Sequence, residues 1–251
     1  MIGRQSRVRR VFPWFAVVAL AACVDTTDPG SENVCWLDFV KLDGITYLGI
    51  DLTAGRDLKE SDLDEQIGTV EFMLSGNVND RNYEPKDGDA AFLEPGTPVH
   101  RVKGYEAWFR VAAKTEDRIY LYEADYNPDA VRGSDIFDLE GAVDSIAVYA
   151  SGVPTYRLGV IRDPAVIASM VKMVSDAELK EPEPVNPGHY FVVFHLKDGT
   201  TTVRPFWPSA GRLGGRAVVP QAFGDAILEA IGKGTPEPNI RLRSIGRICS
   251  A

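Results

Sequence analysis

Residues 190–206, YFVVFHLKDGTTTVRPF, contain the strongest fold signal in the chain. The first part, Tyr190–Leu196, is nearly all apolar, which is typical of a strand buried at the centre of a sheet. Asp198-Gly199 is a hairpin turn sequence, and Thr200–Phe206 is the strand that returns from it. This stretch therefore predicts two antiparallel strands in the core of the fold.

The flanking sequence predicts more strands and two helices. Further strands are expected at Val143–Tyr149, Thr155–Ile161 and Ile240–Ile248. Asp163 is a good N-cap and Pro164 is tolerated at the first helical position, so a helix is expected to begin there. A second helix is expected after Pro220, and both segments repeat apolar residues at helical spacing. The second half of the chain therefore predicts an antiparallel sheet with two helices on one face.

The first half of the chain shows mainly strand patterns. Asp43-Gly44 is a second strong hairpin turn. Apolar or alternating segments predict strands at Trp36–Val40, Ile45–Ile50, Gly68–Leu74, Thr97–Val102, Trp108–Ala113 and Arg118–Glu123. The acidic segment Leu58–Gln66 fits either a short helix or a loop. Together these patterns predict an antiparallel sheet or small barrel of about six strands.

We therefore expect an α+β fold with two mostly antiparallel β subdomains. The Pro-, Gly- and Asp-rich segment 125–138 is the best candidate for the boundary between them. The predicted subdomains are residues 35–134, mainly β, and residues 135–251, an α+β unit.

Composition and charge exclude several classes of protein. The 251 residues are 45% hydrophobic and 25% charged, which excludes a wholly disordered chain and a multi-span membrane protein. A net charge of −9 argues against a general nucleic-acid binder, which needs basic residues to neutralise phosphates. We therefore expect no nucleic-acid partner.

The N-terminus has the pattern of an export signal. Residues 1–22 contain four arginines and no acidic residue, and an apolar run extends from Val11 to Ala22. The run is too short to span a bilayer, which needs about 20 apolar residues. It ends in Leu20-Ala21-Ala22-Cys23, which resembles the lipobox of exported bacterial lipoproteins. Arg9-Arg10 also resembles a twin-arginine signal, but the flanking residues favour two ordinary basic residues.

The lipoprotein resemblance implies that Cys23 is lipidated and becomes the mature N-terminus. It also implies a location in the bacterial cell envelope, outside the cytoplasm and anchored to a membrane. Residues 23–34 are polar with Pro and Gly, so they predict a flexible tether. Without residues 1–22, 23 basic and 36 acidic residues remain, a net charge of −13. Such an acidic body is repelled by anionic headgroups, so attachment is expected to depend on the lipid.

The two other cysteines, Cys35 and Cys249, lie near opposite ends of the mature chain. An extracytoplasmic compartment permits disulfides, and the termini of a compact domain are often close together. We therefore predict a Cys35–Cys249 disulfide. The alternative is a pair of unpaired buried thiols.

The body of the chain also resembles uncharacterised bacterial lipoproteins built from two α+β halves. The resemblance rests on Gly88-Asp89-Ala90, Gly96-Thr97-Pro98, Lys103-Gly104-Tyr105 and Phe194–Gly199. None of these motifs is a catalytic signature, so the resemblance implies no activity.

Three groups of residues are candidates for a binding site. Asp125, Asn127 and Asp129 alternate as at the start of a calcium loop, but the required glycine and the final glutamate are absent, so a solvated turn is favoured. His100, His189 and His195 show no zinc-ligand spacing. The third group is aromatic residues near predicted turns, which would form a recognition surface if exposed, although packing in the core is the commoner outcome: Tyr105, Trp108, Phe206 and Trp207.

No catalytic signature stands out in the sequence. There is no Gly-x-Ser-x-Gly elbow and no phosphate-binding glycine loop before a helix. We therefore expect a lipid-anchored envelope protein that binds an envelope protein or a small ligand and needs no cofactor. The alternatives are an envelope hydrolase whose carboxylates converge only in the fold, and a purely structural envelope component.

Overall fold

The computed structural model describes residues 34–49, 55–151, 156–184, 188–234 and 237–238. These residues form two mostly antiparallel β-sheets and two α-helices, which agrees with the expected α+β class with two β units. The predicted signal segment, the tether up to Asn33 and the predicted strand Ile240–Ile248 lie outside the described residues.

The first sheet is built from eight strands of the N-terminal half. Its strands are β1 Phe39–Leu42, β2 Ile45–Gly49, β3 Leu63–Thr69, β4 Phe72–Met73, β5 Asp89–Ala90, β6 Pro98–Val102, β7 Arg110–Lys114 and β8 Ile119–Tyr126. Their order in the sheet is β3-β6-β7-β8-β2-β1-β5-β4, and only β4 and β5 pair in parallel.

The second sheet is built from eight strands of the C-terminal half. Its strands are β9 Val143–Ala150, β10 Tyr156–Ile161, β11 Glu178–Leu179, β12 Tyr190–Leu196, β13 Thr201–Trp207, β14 Arg212–Leu213, β15 Ala217–Val218 and β16 Glu237–Pro238. Their order is β11-β15-β14-β13-β12-β9-β10-β16, with antiparallel pairing throughout.

Both predicted hairpins are confirmed. β12 lies between β9 and β13, and its pairing with β13 runs from Tyr190–Phe206 to His195–Thr201. Gly199 in the connecting turn has a φ of +86°, a left-handed conformation that favours glycine. Asp43 and Gly44 both have positive φ, 51° and 78°, as a two-residue type I′ turn requires.

The acidic segment Leu58–Gln66 is neither a regular helix nor only a loop. A single 3-10 turn covers Glu60–Asp62, and β3 follows directly from Leu63. The side chain of Asp62 accepts a hydrogen bond from the backbone N–H of Lys59 at 2.7 Å, which closes the turn. The strand predicted at Gly68–Leu74 is divided in the structure, since Gly68 and Thr69 end β3 and Phe72–Met73 form β4.

The two helices begin where the sequence predicts. Helix α1 covers Pro164–Ser175, and the carboxylate of Asp163 accepts hydrogen bonds from the backbone N–H groups of the next two non-proline residues at 2.8 and 3.2 Å. Helix α2 covers Gln221–Lys233 and follows Pro220. No helix of the described residues is long and apolar enough to cross a membrane.

One hydrophobic cluster connects the helices with both sheets. It contains buried residues of α1 and α2, such as Met170 and Ile227, together with Val148 and Phe194 of the second sheet. It also includes residues of the N-terminal half: Val102, Tyr105, Phe109 and Ala112. The two sheets therefore share a core, and the contact between them is called the seam below.

Candidate functional site at the seam between the sheets

Among the described residues, a group of charged side chains is buried in the seam. Arg110 on β7 and Glu123 on β8 are direct cross-strand partners in the first sheet. Thr202 and Arg204 on β13 are two residues apart, so they project from the same face of the second sheet. Strand register thus places a carboxylate and a guanidinium of one sheet opposite a hydroxyl and a guanidinium of the other.

Glu123 is the centre of this group. Its Oε1 lies 2.5 Å from Nη2 of Arg110, and its Oε2 lies 2.9 Å from Nη1 of Arg204. The hydroxyl of Thr202 donates a further hydrogen bond to Oε2. Arg110 Nη1 donates to the hydroxyl of Thr200 at 3.0 Å, so one carboxylate and two arginines join the sheets.

These charges are closed off from solvent. The side chains of Arg110 and Glu123 are 0% exposed and that of Arg204 is 9% exposed. Arg110 also stacks on the ring of Tyr105 at 4.4 Å and on that of Phe109 at 4.5 Å. A group this enclosed does not meet a substrate, and it serves to hold the sheets together.

Asp125, which was considered as a calcium ligand although a solvated turn was favoured, borders the same group. Burial raises the pKa of its carboxyl, while the positive charges of Arg204 and Arg216 lower it. Asn127 is engaged elsewhere, since its side-chain oxygen accepts a hydrogen bond from the backbone N–H of Asp129 at 3.1 Å. The carboxylate of Asp125 is thus electrostatically coupled to arginines, and Asn127 forms a local turn with Asp129.

Metal-ligand clusters do not occur in the part of the chain that is described, where no group of three or more His, Cys, Asp or Glu side chains converges. Nδ1 of His100 lies 3.1 Å from the carbonyl oxygen of Asp64. Burial lowers the pKa of His189 and also that of His195. These histidines occupy separate structural positions.

Two of the four aromatic residues considered for a recognition surface are buried, which is the core packing that the sequence favoured. Tyr105 is 9% exposed and Phe206 is 1% exposed, because both belong to the core shared by the sheets and helices. The ring of Phe206 packs against that of Phe223 on α2 at 5.2 Å. Trp108 and Trp207 are half-buried, and Trp207 lies 5.3 Å from the ring of His189.

Two further arginines lie at the rim of the seam. Arg212 on β14 has a side chain that is 6% exposed, and the side chain of Arg216 is 17% exposed. Their partners are exposed carboxylates, Glu183 at 3.3 Å from Arg212 and Glu181 at 3.5 Å from Arg216. Arg216 also stacks on the ring of Tyr126 at 4.6 Å.

A shallow depression of about 440 Å³ lies at another end of the first sheet. Its walls are formed by Glu60 and Leu63, by Pro98 and His100 of β6 and by residues 114–116, and a second depression between residues 57–60 and 114–119 adjoins it. Ion pairs between Lys114 and Glu60 at 2.8 Å and between Arg118 and Asp57 at 3.8 Å connect these walls. The depression is open to solvent, and two of the basic residues around it pair with carboxylates.

The buried group of Arg110, Glu123 and Arg204 was not predicted from the sequence. One signal was available in the strand pattern of Arg118–Glu123. Glu123 ends this predicted strand, and a charged side chain that faces the core needs a partner. The partner strands are far away in sequence, Arg204 being 81 residues after Glu123. Only the tertiary fold reveals the pairing.

Two of the three cysteines in the lipidation and disulfide predictions lie outside the described residues. Cys23 and Cys249 both lie outside them, and only Cys35 lies within them, in an exposed position. Lipidation at Cys23 and the Cys35–Cys249 bridge therefore stay predictions.

Comparison with known proteins returned no matching family model, no similar curated protein and no similar solved structure.

Proposed function

We propose that this chain is an exported, lipid-anchored protein of the bacterial envelope that acts by binding. The observation that carries the proposal is the sequence Leu20-Ala21-Ala22-Cys23 at the end of a basic and then apolar N-terminus. The twelve residues 23–34 would then connect the lipid to the folded body. At up to about 3.5 Å per residue they would let the body lie as far as about 40 Å from the membrane surface.

The charges of the folded body support binding in preference to catalysis. The charged groups most strongly removed from water, Arg110 and Glu123, are used to join the two sheets and are closed to solvent. At the rim, Arg216 is 17% exposed and stacks on Tyr126, and the more deeply buried Arg212 pairs with Glu183, an arrangement that suits recognition of a ligand. In the proposed architecture, both helices cover one face of the second sheet and leave this rim free.

The first experiment tests the anchor. Wild-type protein and the Cys23→Ala variant are expressed with a C-terminal tag in a bacterial host, and the membrane and soluble fractions are compared. We expect wild type in the membrane fraction and the variant in the soluble envelope fraction, because the variant lacks the acceptor for the acyl chains. The control is Thr27→Ala in the tether, which should remain with the membrane. Membrane retention of Cys23→Ala would contradict the proposed anchor.

The second experiment tests the binding role. Membranes that contain the anchored protein are cross-linked and solubilised, and the molecules captured with wild type are compared with those captured with the Arg216→Gln variant. We expect at least one protein or small ligand that depends on Arg216. Identical captures from the two proteins would count against binding at the rim of the seam.

A further inference from the structure

The positive charge of the seam exceeds its buried negative charge. Four arginines lie near two carboxylates of the seam, the buried Glu123 and the partly buried Asp125: Arg110, Arg204, Arg212 and Arg216. The excess is balanced only at the surface, by Glu181 and Glu183, whose side chains are 78% and 73% exposed. Arg212 and Arg216 therefore depend on exposed side chains for their compensating negative charge.

The surface carboxylates make weaker contacts than the buried one. The buried pairs measure 2.5 and 2.9 Å, whereas Arg216–Glu181 measures 3.5 Å and Arg212–Glu183 measures 3.3 Å. A charge-assisted N–H···O hydrogen bond is normally about 2.7–2.9 Å long. Exposed ion pairs with such long contacts contribute little free energy, so another anion can displace them at low cost.

The arginines keep their positions without these carboxylates. Arg212 Nη1 donates to the backbone oxygen of Arg216 at 3.2 Å, and Arg216 stacks on Tyr126. Nε of Arg216 is buried and has no hydrogen-bond partner among the described residues, so the guanidinium keeps unused donor capacity. Two oriented guanidinium groups therefore remain available when the acidic side chains move away.

The acidic segment can also leave without unfolding the sheet. Its attachment is the pairing of β11 with β15 and the backbone hydrogen bond from Lys180 to Arg216 at 3.0 Å, all of which precede Glu181. Beyond this point the chain reads Glu181-Pro182-Glu183-Pro184. A residue before proline prefers an extended conformation, so the two carboxylates are carried on an extended strap about 6 Å apart along the chain.

The geometry points to a binding site for a ligand with two oxyanion groups, carboxylate or phosphate, on Arg212 and Arg216. Glu181 and Glu183 occupy this site when the ligand is absent and compete with it. The inference rests on the proposed binding function and names the chemistry of its ligand. Arginine suits the role because its planar fork of N–H donors matches both carboxylate and phosphate oxygens.

The test is calorimetric titration of the mature chain with citrate and, separately, with inorganic pyrophosphate at low ionic strength. We expect one-to-one binding of at least one of the two. Citrate alone would identify a carboxylate ligand, pyrophosphate alone a phosphate ligand, and binding of both a general oxyanion site. Sodium chloride of matched ionic strength is the control for screening. Failure of both anions to bind at millimolar concentration would overturn the inference.

Two sets of variants locate the site. Arg216→Gln should weaken binding about tenfold or more, since it removes a charged hydrogen-bond donor. Arg101→Gln, which removes an arginine from an exposed ion pair with Glu65, should leave affinity unchanged. Equal affinities of these two variants would contradict the site.

The strap is tested by removing its charges. The double variant Glu181→Gln and Glu183→Gln should bind the anion about two- to fivefold more tightly for each carboxylate removed, because each exposed competitor is lost. Glu178→Gln is the matched control, since Glu178 lies on the same segment but pairs with Lys180 at 3.1 Å. The strap variant needs no buried side chain to change, so it tests the inference even if Arg216→Gln folds poorly.

Equal affinity of the strap variant and Glu178→Gln would refute the competition. Membrane retention of Cys23→Ala in the fractionation experiment would instead refute the proposed anchor and leave these titrations unaffected. The two failures are therefore distinguishable.

Discussion

Replacing Glu123 with glutamine tests the role of the buried charges most sharply. Glutamine keeps nearly the same shape but removes the negative charge that Arg110 and Arg204 share at 2.5 and 2.9 Å. Both guanidinium groups then stay buried without the negative charge that compensates them. Breaking a buried ion pair in this way costs about 3–5 kcal/mol of unfolding free energy.

The assay is urea unfolding of the mature chain, followed by intrinsic tryptophan fluorescence. With an m-value of about 2 kcal/mol per molar urea, the loss corresponds to a midpoint lower by about 2 M. Glu60→Gln is the control, because Glu60 also pairs with a basic residue, Lys114 at 2.8 Å, but is 76% exposed. We expect the control to unfold at the wild-type midpoint.

A double-mutant cycle checks that the loss comes from the pairing itself. Arg204→Met removes one of the two cations that Glu123 pairs with. The double variant should therefore lose less free energy of unfolding than the sum of the losses in the two single variants. The reasoning would be refuted if Glu123→Gln and Glu60→Gln unfolded at the same urea concentration, or if the two effects in the cycle were additive.

Three further predictions follow from the helix cap, the cysteines and the histidines. Asp163→Ala should cost about 1 kcal/mol in urea unfolding, because the side chain accepts two backbone hydrogen bonds at the start of α1, and an unchanged midpoint would contradict this role. Unfolded, unreduced mature protein with Cys23→Ala should contain no free thiol in a colorimetric assay if Cys35 and Cys249 are bonded, and two free thiols would disprove the bridge. His189 and His195 should titrate below pH 6.5 by NMR, because burial lowers both pKa values, and Arg157 and Arg162 oppose the effect of Asp144 on His195. A histidine pKa that is lower in the folded than in the unfolded state gives stability that is complete above pH 6.5 and is lost as the pH falls, and titration of either residue at or above 6.5 would contradict the prediction.

Local sequence signals were sufficient for the elements that depend on local physics. The turn residues Asp43-Gly44 and Asp198-Gly199 predicted both hairpins, since Asp-Gly dipeptides favour the positive φ values of hairpin turns. The cap at Asp163 predicted the first residue of α1, since the carboxylate bonds to N–H groups two and three residues away. These signals need no knowledge of the rest of the fold.

The seam could not be predicted because its contacts join residues that are far apart in sequence. Arg204 and Glu123 lie on different sheets, so they are in contact only where the two sheets pack together. Phe206 is close in sequence to a predicted turn. It lies on β13, however, where its side chain points into the core and packs against Phe223. The short strands β14 and β15 are two residues each, which is too short for any periodic pattern.

The mass of the mature polypeptide isolated from membranes tests the central claim most directly. The account predicts an N-terminal peptide that begins at Cys23 and carries acyl chains on that residue, with residues 1–22 removed. An unmodified Cys23, or a membrane-bound chain that still contains residues 1–22, would contradict it.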